Sequence, residues 1–101
     1  MSHAMQLKLT LRNGNTKQAL SLTSLAPQTG WDSAPPHHLA GGDSATCMIE
    51  TSDELAITLC YGPHHIGIRL GDGKLSIDPG DAMVEQQRLD GYGAEVALVL
   101  M

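Results

Sequence analysis

Phenylalanine is absent from this 101-residue chain, and tryptophan and tyrosine together supply only three residues. An aromatic core is therefore excluded, and any packed interior must be built from Leu, Ile, Val, Ala and Met. Positive charge is equally scarce, since six Lys and Arg against eleven Asp and Glu leave a formal net charge of −5. No basic stripe is available to neutralise phosphates, so no nucleic-acid partner is expected, nor attachment to an anionic membrane by charge alone. Two cysteines are too few for a disulfide scaffold. No apolar run approaches the roughly 18 to 20 residues of a transmembrane helix, so no transmembrane segment is expected. The start of the chain lacks the basic and apolar regions of a signal peptide. A soluble protein is expected, cytoplasmic or secreted by a non-classical route. "MSHAM", residues 1–5, reads as a disordered start or an expression scar, and 6–101 as one domain, since this length builds one core and not two.

What the chain does have is period-two alternation. "LKLTL" at 7–11 sets Leu7, Leu9 and Leu11 on one face, and "QALSLTSL" resumes the pattern beyond the turn-forming "NGN", so residues 6–25 read as a hairpin. "SATCMIE" and "LAITLCY" form a second strand pair around "TSDE". "HIGIRL" and "KLSID" flank the "GDG" turn, and "AEVALVL" closes the chain with Val96, Leu98 and Leu100 on one face. Only "GDAMVEQQRLDG" leaves room for a helical turn. Residues 26–43, "APQTGWDSAPPHHLAGGD", hold three prolines, three glycines and no period, and read as one long loop. Loops of that length are often functional. The fold class that follows is all-β: an antiparallel β-sandwich of about seven to eight short strands with one long Pro/Gly-rich loop.

Two His pairs attract notice, "PPHHLAGG" at 35–42 and "GPHHIG" at 62–67. A zinc site needs three or four ligands converging at about 2 Å, and His37, His38, His64 and His65 are its candidates. Adjacent residues of an extended chain point to opposite sides, however, so each pair delivers one imidazole to a common centre. The alternative is histidines in turns, with His65 and Arg69 facing out while Ile66, Ile68 and Leu70 face in. Cys47 and Cys60 fall on the two strands of the expected second hairpin. They are either buried free thiols or, if the connection sets them opposite, a disulfide. No GxSxG elbow, HExxH helix or phosphate loop is present, so no catalytic residues are assigned and a non-enzymatic role is expected. Trp31 is either an exposed anchor for a ligand or a lid folded over the sandwich.

The hairpin "LTLRNGNTKQALSLTS", then Gly30-Trp31, Pro35-Pro36 with Leu39, "GGDSA" and "CYG", resembles in order the layout of aegerolysin-like β-sandwich proteins, and at fold level the actinoporins, over residues 6–70. That resemblance implies a cytolysin-like, non-enzymatic module that recognises a membrane lipid headgroup or a protein partner. Trp31, the Pro35-Pro36 turn and Tyr61 carry over to it. With His37 and His38 they make the 26–43 loop the expected binding surface, without a cofactor. Two alternatives stand beside it. One is a zinc protein using the two His pairs. The other is a structural subunit that forms a homo-oligomer through an exposed edge strand, with "VALVL" as the pairing edge.

Overall fold

A computed structural model describes residues 5–26, 28, 30–51, 54–71, 74–90 and 93–100. Residues Met1–Ala4 of the expected scar and parts of two expected turns, Ser52–Asp53 and Asp72–Gly73, lie outside the described residues. The chain is an all-β sandwich. Ten strands follow one another among the described residues: β1 (Met5–Asn13), β2 (Leu20–Ala26), β3 (Trp31–Ser33), β4 (His38–Leu39), β5 (Ser44–Thr51), β6 (Leu55–Tyr61), β7 (His64–Gly71), β8 (Lys74–Asp78), β9 (Met83–Asp90) and β10 (Gly93–Leu100). The first sheet has the order β3-β5-β1-β10-β9 and the second β4-β2-β6-β7-β8. Pairing is antiparallel except between β1 and β10.

The alternation read from the sequence becomes the core. Leu7, Leu9 and Leu11 of β1 and Val96, Leu98 and Leu100 of β10 point inward from the first sheet. Leu55, Ile57, Leu59 and Tyr61 of β6 and Ile66, Ile68 and Leu70 of β7 point inward from the second. Every second residue of a strand faces the same side, so each sheet presents an aliphatic face to the other. His65 and Arg69 face out, as the alternation of β7 requires.

The partners of these strands differ from expectation. β1 and β2 do not form a hairpin; β1 lies at the centre of the first sheet and β2 in the second. β5 and β6 are likewise separated between the sheets. Only β6-β7, β7-β8 and β9-β10 are consecutive neighbours, and the other six connections cross from sheet to sheet. The reason is visible at the end of β1. Buried Asn13 donates through Nδ2 to the carbonyls of Gln18 at 2.7 Å and Leu39 at 3.2 Å, and its Oδ1 accepts from the Asn15 amide at 3.0 Å. That side chain holds the 14–19 connection as an arch over the end of the sandwich. A tight hairpin turn would have left it no such role.

Three further expectations are corrected. The "VALVL" strand is not an edge, because β10 lies between β1 and β9. Residues 83–90 form strand β9 and not a helical turn. The 26–43 segment contributes β3 and β4, which accounts for part of the excess over seven or eight strands. Prolines keep both strands short, since they supply no amide to a ladder. Met5 belongs to β1, opposite Thr51, so the domain includes one residue of the expected scar.

Candidate functional site

The 26–43 segment is laced across one open side of the sandwich. β3 pairs with β5 of the first sheet through Trp31 opposite Ile49, and β4 pairs with β2 of the second through Leu20 opposite Leu39 and Ser21 opposite His38. The Leu22 amide donates to the His37 carbonyl at 2.8 Å. Pro35 and Leu39 are buried. Beneath them wholly buried Tyr61 donates through its hydroxyl to the Pro36 carbonyl at 2.5 Å. Tyr61 and Pro35, expected at the binding surface, thus act from inside: they fix the segment and offer no area to a ligand. Trp31 is half-buried and packs against the core, closer to the lid than to the free-standing anchor. His37 and His38, with Asp32, Ser33 and Ala34, remain exposed.

This lacing leaves a gap. β4 covers only Leu20 and Ser21, so β2 from Thr23 to Ala26 is bonded to β6 on one side and has no described strand on the other. There the surface sinks into a groove of about 370 Å³ lined by Leu22, Thr23, Ser24, Leu25, Gln28 and His37. Leu22 and Leu25 are half-buried and give it an apolar lining; the remaining side chains are polar and exposed. The register of β2 slips between Leu22 and Ser24, a bulge that re-aims the strand at the head of the groove. On the outer face of the first sheet, a polar depression of about 250 Å³ lined in part by Lys8, Arg88 and Glu95 mixes both signs of charge and lacks a comparable apolar lining.

The four histidines do not converge. β4 and β7 are separated by β2 and β6, so three inter-strand steps lie between the two His pairs, too far for both to enter one coordination shell. Within the second pair His64 points into the core at 3 % exposure while His65 points out. Among the described residues no three His, Cys, Asp or Glu side chains gather as a metal site requires. The His64 Nδ1 is buried and has no hydrogen-bond partner among the described residues. It sits opposite Tyr61 in the β6-β7 hairpin, with both side chains facing inward.

Cys47 and Cys60 are free thiols in different sheets, which removes the disulfide reading. Cys47 is a core residue whose Sγ approaches the Leu9 carbonyl at 3.5 Å; burial pushes its thiol up to about 12. Burial raises the Tyr61 phenol in the same way, with the nearby Cys47 sulfur as the second cause. Cys60 lies on the other side of its sheet. Its Sγ is 3.0 Å from His65 Nδ1, and Ser24 stands opposite it on β2. This thiol–imidazole contact was missed in the sequence. Its signal was the Gly62-Pro63 turn, because a two-residue connection between Tyr61 and His64 sets residue 60 opposite 65. Gly62 takes a positive φ there, which a side chain would resist.

No protein-family model, curated protein or solved structure matches the chain. Its function is therefore read from this geometry.

Proposed function

We propose that the chain is a non-enzymatic binding module that accepts an extended segment of a protein partner as an added strand along β2, beside His37. The observation that carries this reading is the half-paired edge of β2, Thr23–Ala26, opening onto a groove lined by Leu22 and Leu25. A strand edge offers main-chain donors and acceptors to an incoming peptide, and depressions beside it select alternate side chains of that peptide. Four residues of open strand span about 13 Å, so the recognised segment is about four residues long and carries an apolar side chain for the Leu22–Leu25 surface. Gln28, Thr23, Ser24 and His37 supply polar contacts around it. An interface this small falls well below the ~1,200 Å² of standard complexes, and the binding is weak and transient.

The resemblance to aegerolysin-like proteins implies a binding role for the adjoining 26–43 segment, which contributes Gln28 and His37 to the groove, and it also supplies the competing ligand, a lipid headgroup. Half-burial of Trp31 and full burial of Tyr61 favour the peptide, because among the described residues little aromatic surface remains to enter a bilayer interface. The test is selection from a displayed random decapeptide library, followed by amide-shift mapping of the selected peptides on the labelled protein. Shifts concentrated at Thr23–Ala26 and His37, lost at least tenfold in affinity with Leu25→Lys, are expected. Shifts mapping elsewhere would refute the reading. So would failure to select any peptide combined with co-sedimentation on phosphatidylcholine–sphingomyelin liposomes and a change in Trp31 fluorescence.

A further inference from the structure

The large hydrophobic side chains left exposed among the described residues all lie on one strand. Met83 is 60 % exposed, Val84 39 % and Leu89 40 %, and all three belong to β9. β9 is an edge of the first sheet, bonded only to β10, and at eight residues it is the longest edge in the sandwich. The other edges are β3 with three residues, β4 with two and β8 with five. Long, partly apolar edges are templates for another strand, and soluble proteins ordinarily shorten, charge or cover them.

The register of β9 decides what fits it. Val84 stands opposite Leu98, Gln86 opposite Ala97 and Gln87 opposite Val96, so Glu85 is the extra residue of a bulge. Across that bulge Val84, Gln87 and Leu89 share the inner side, facing the positions of Leu98, Val96 and Ala94, while Gln86 and Arg88 share the outer side with Ala97 and Glu95. A second copy of β9, laid antiparallel about a two-fold axis through Gln87, then meets the first in a self-complementary way. Leu89 of each copy falls opposite Val84 of the other. Arg88 of each falls opposite the Glu85–Gln86 bulge of the other. Two Val84–Leu89 apolar pairs then form, one on each side of the axis, as an isologous interface demands. Glu85 is already tied across β10 to Arg12 by a 2.7 Å ion pair, which steadies the edge in each copy.

We infer that β9 is a homodimerisation edge, joining two first sheets into one continuous ten-stranded sheet about the Gln87 axis. It is independent of the β2 groove, which lies at the opposite side of the sandwich and stays open in the dimer. Sedimentation equilibrium over a concentration series is expected to show a monomer–dimer equilibrium. The Val84→Lys/Leu89→Lys variant, altered only at exposed positions, is expected to stay monomeric over the same range with an unchanged circular dichroism spectrum. To test the register, Gln87→Cys and Gln86→Cys are each made in a Cys60→Ser background, which removes the half-exposed native thiol. Under mild oxidation Gln87→Cys should form the intermolecular disulfide at least tenfold faster, because only residue 87 faces its own copy across the axis. A wild-type protein that is monomeric throughout overturns the inference. So does a dimer that survives the double lysine variant, or equal crosslinking at 86 and 87.

Discussion

Removing one oxygen atom, by Tyr61→Phe, probes how the 26–43 segment is held. The hydroxyl lies at the end of a fully buried ring and donates to the carbonyl of Pro36, itself half-buried. The ring's packing survives in Phe, so the hydrophobic contribution is nearly unchanged. What is lost is one neutral hydrogen bond, about 1 kcal/mol net, plus part of the ~1–3 kcal/mol cost of leaving a sequestered carbonyl without a donor. Because Pro36 keeps some access to water, the sum should lie near ~1–2 kcal/mol, equivalent to a Tm lowered by roughly 5–15 °C in a domain of this size. The effect should also be local. Pro36 is followed directly by His37, whose carbonyl accepts from the Leu22 amide, so hydrogen-exchange protection of Leu22 should fall by more than that of the core amide of Leu9. Urea denaturation and exchange mass spectrometry read the two parts separately. A loss below about 0.5 kcal/mol with unchanged Leu22 protection would contradict this role, since the Tyr61–Pro36 contact would then hold nothing in place.

Two further outcomes follow from individual groups. Cys47 has its folded pKa raised from 9.0 to about 12, so above pH 9 the unfolded chain binds fewer protons than the folded one, and stability falls as pH rises from 9 towards 12. Each pH unit in that window removes about 1.36 kcal/mol. Tyr61, also raised by burial, adds a second decline above its ordinary value. Urea midpoints at pH 8 and 11 should converge in part for Cys47→Ala and more fully once Tyr61→Phe is added, and a wild-type midpoint flat across that interval would contradict the burial of both groups. Gly80 holds a positive φ, and a Cβ there would stand 2.5 Å from the His65 carbonyl oxygen. Gly80→Ala should therefore cost about 2–3 kcal/mol. Gly30 also holds a positive φ but has nothing among the described residues within 4 Å of its would-be Cβ. Its change to Ala should lose only the backbone contribution of about 1 kcal/mol, and equal denaturation midpoints for the two variants would contradict this ordering.

The all-β class and much of the core were legible because alternation reports burial directly. Leu7, Leu9 and Leu11 had to face inward whichever strand lay beside them, and the same holds for Ile66, Ile68 and Leu70. Alternation is silent about partners. β1 and β2 carry the same pattern whether they pair side by side or face each other across the sandwich, and only the hydrogen bonds of Asn13 distinguish the two. β9 escaped notice for the complementary reason: with both of its faces exposed, "VEQQR" has no period to detect. In the candidate site, exposed His37 was identified from the loop that carries it, whereas Leu22 and Leu25 fell within the expected 6–25 hairpin and drew no notice as a surface. They form a groove because β4 stops after two residues, and Pro35 and Pro36 immediately before it set that limit.

The edges of the sandwich connect the two proposals. A sandwich has four edges, and here two are blunted by ordinary means, β3 by brevity and a neighbouring proline and β8 by Lys74, Ser76 and Asp78 on its outward face, while β4 is so short that β2 stays half open beside it. β9 carries charges too, but Val84 and Leu89 lie exposed on one side of it, spaced so that a second copy sets each against the other. Such pairing consumes the longest edge among the described residues and leaves each β2 groove open at the far side of its own sandwich. Two weak grooves in one dimer can engage two segments of the same partner. The second binding event then occurs at the high effective concentration set by the first, and avidity can exceed either single affinity by about 10²–10⁴. A groove only about four residues long becomes a useful recognition element under that condition, which gives the dimer edge a functional reason to remain uncovered.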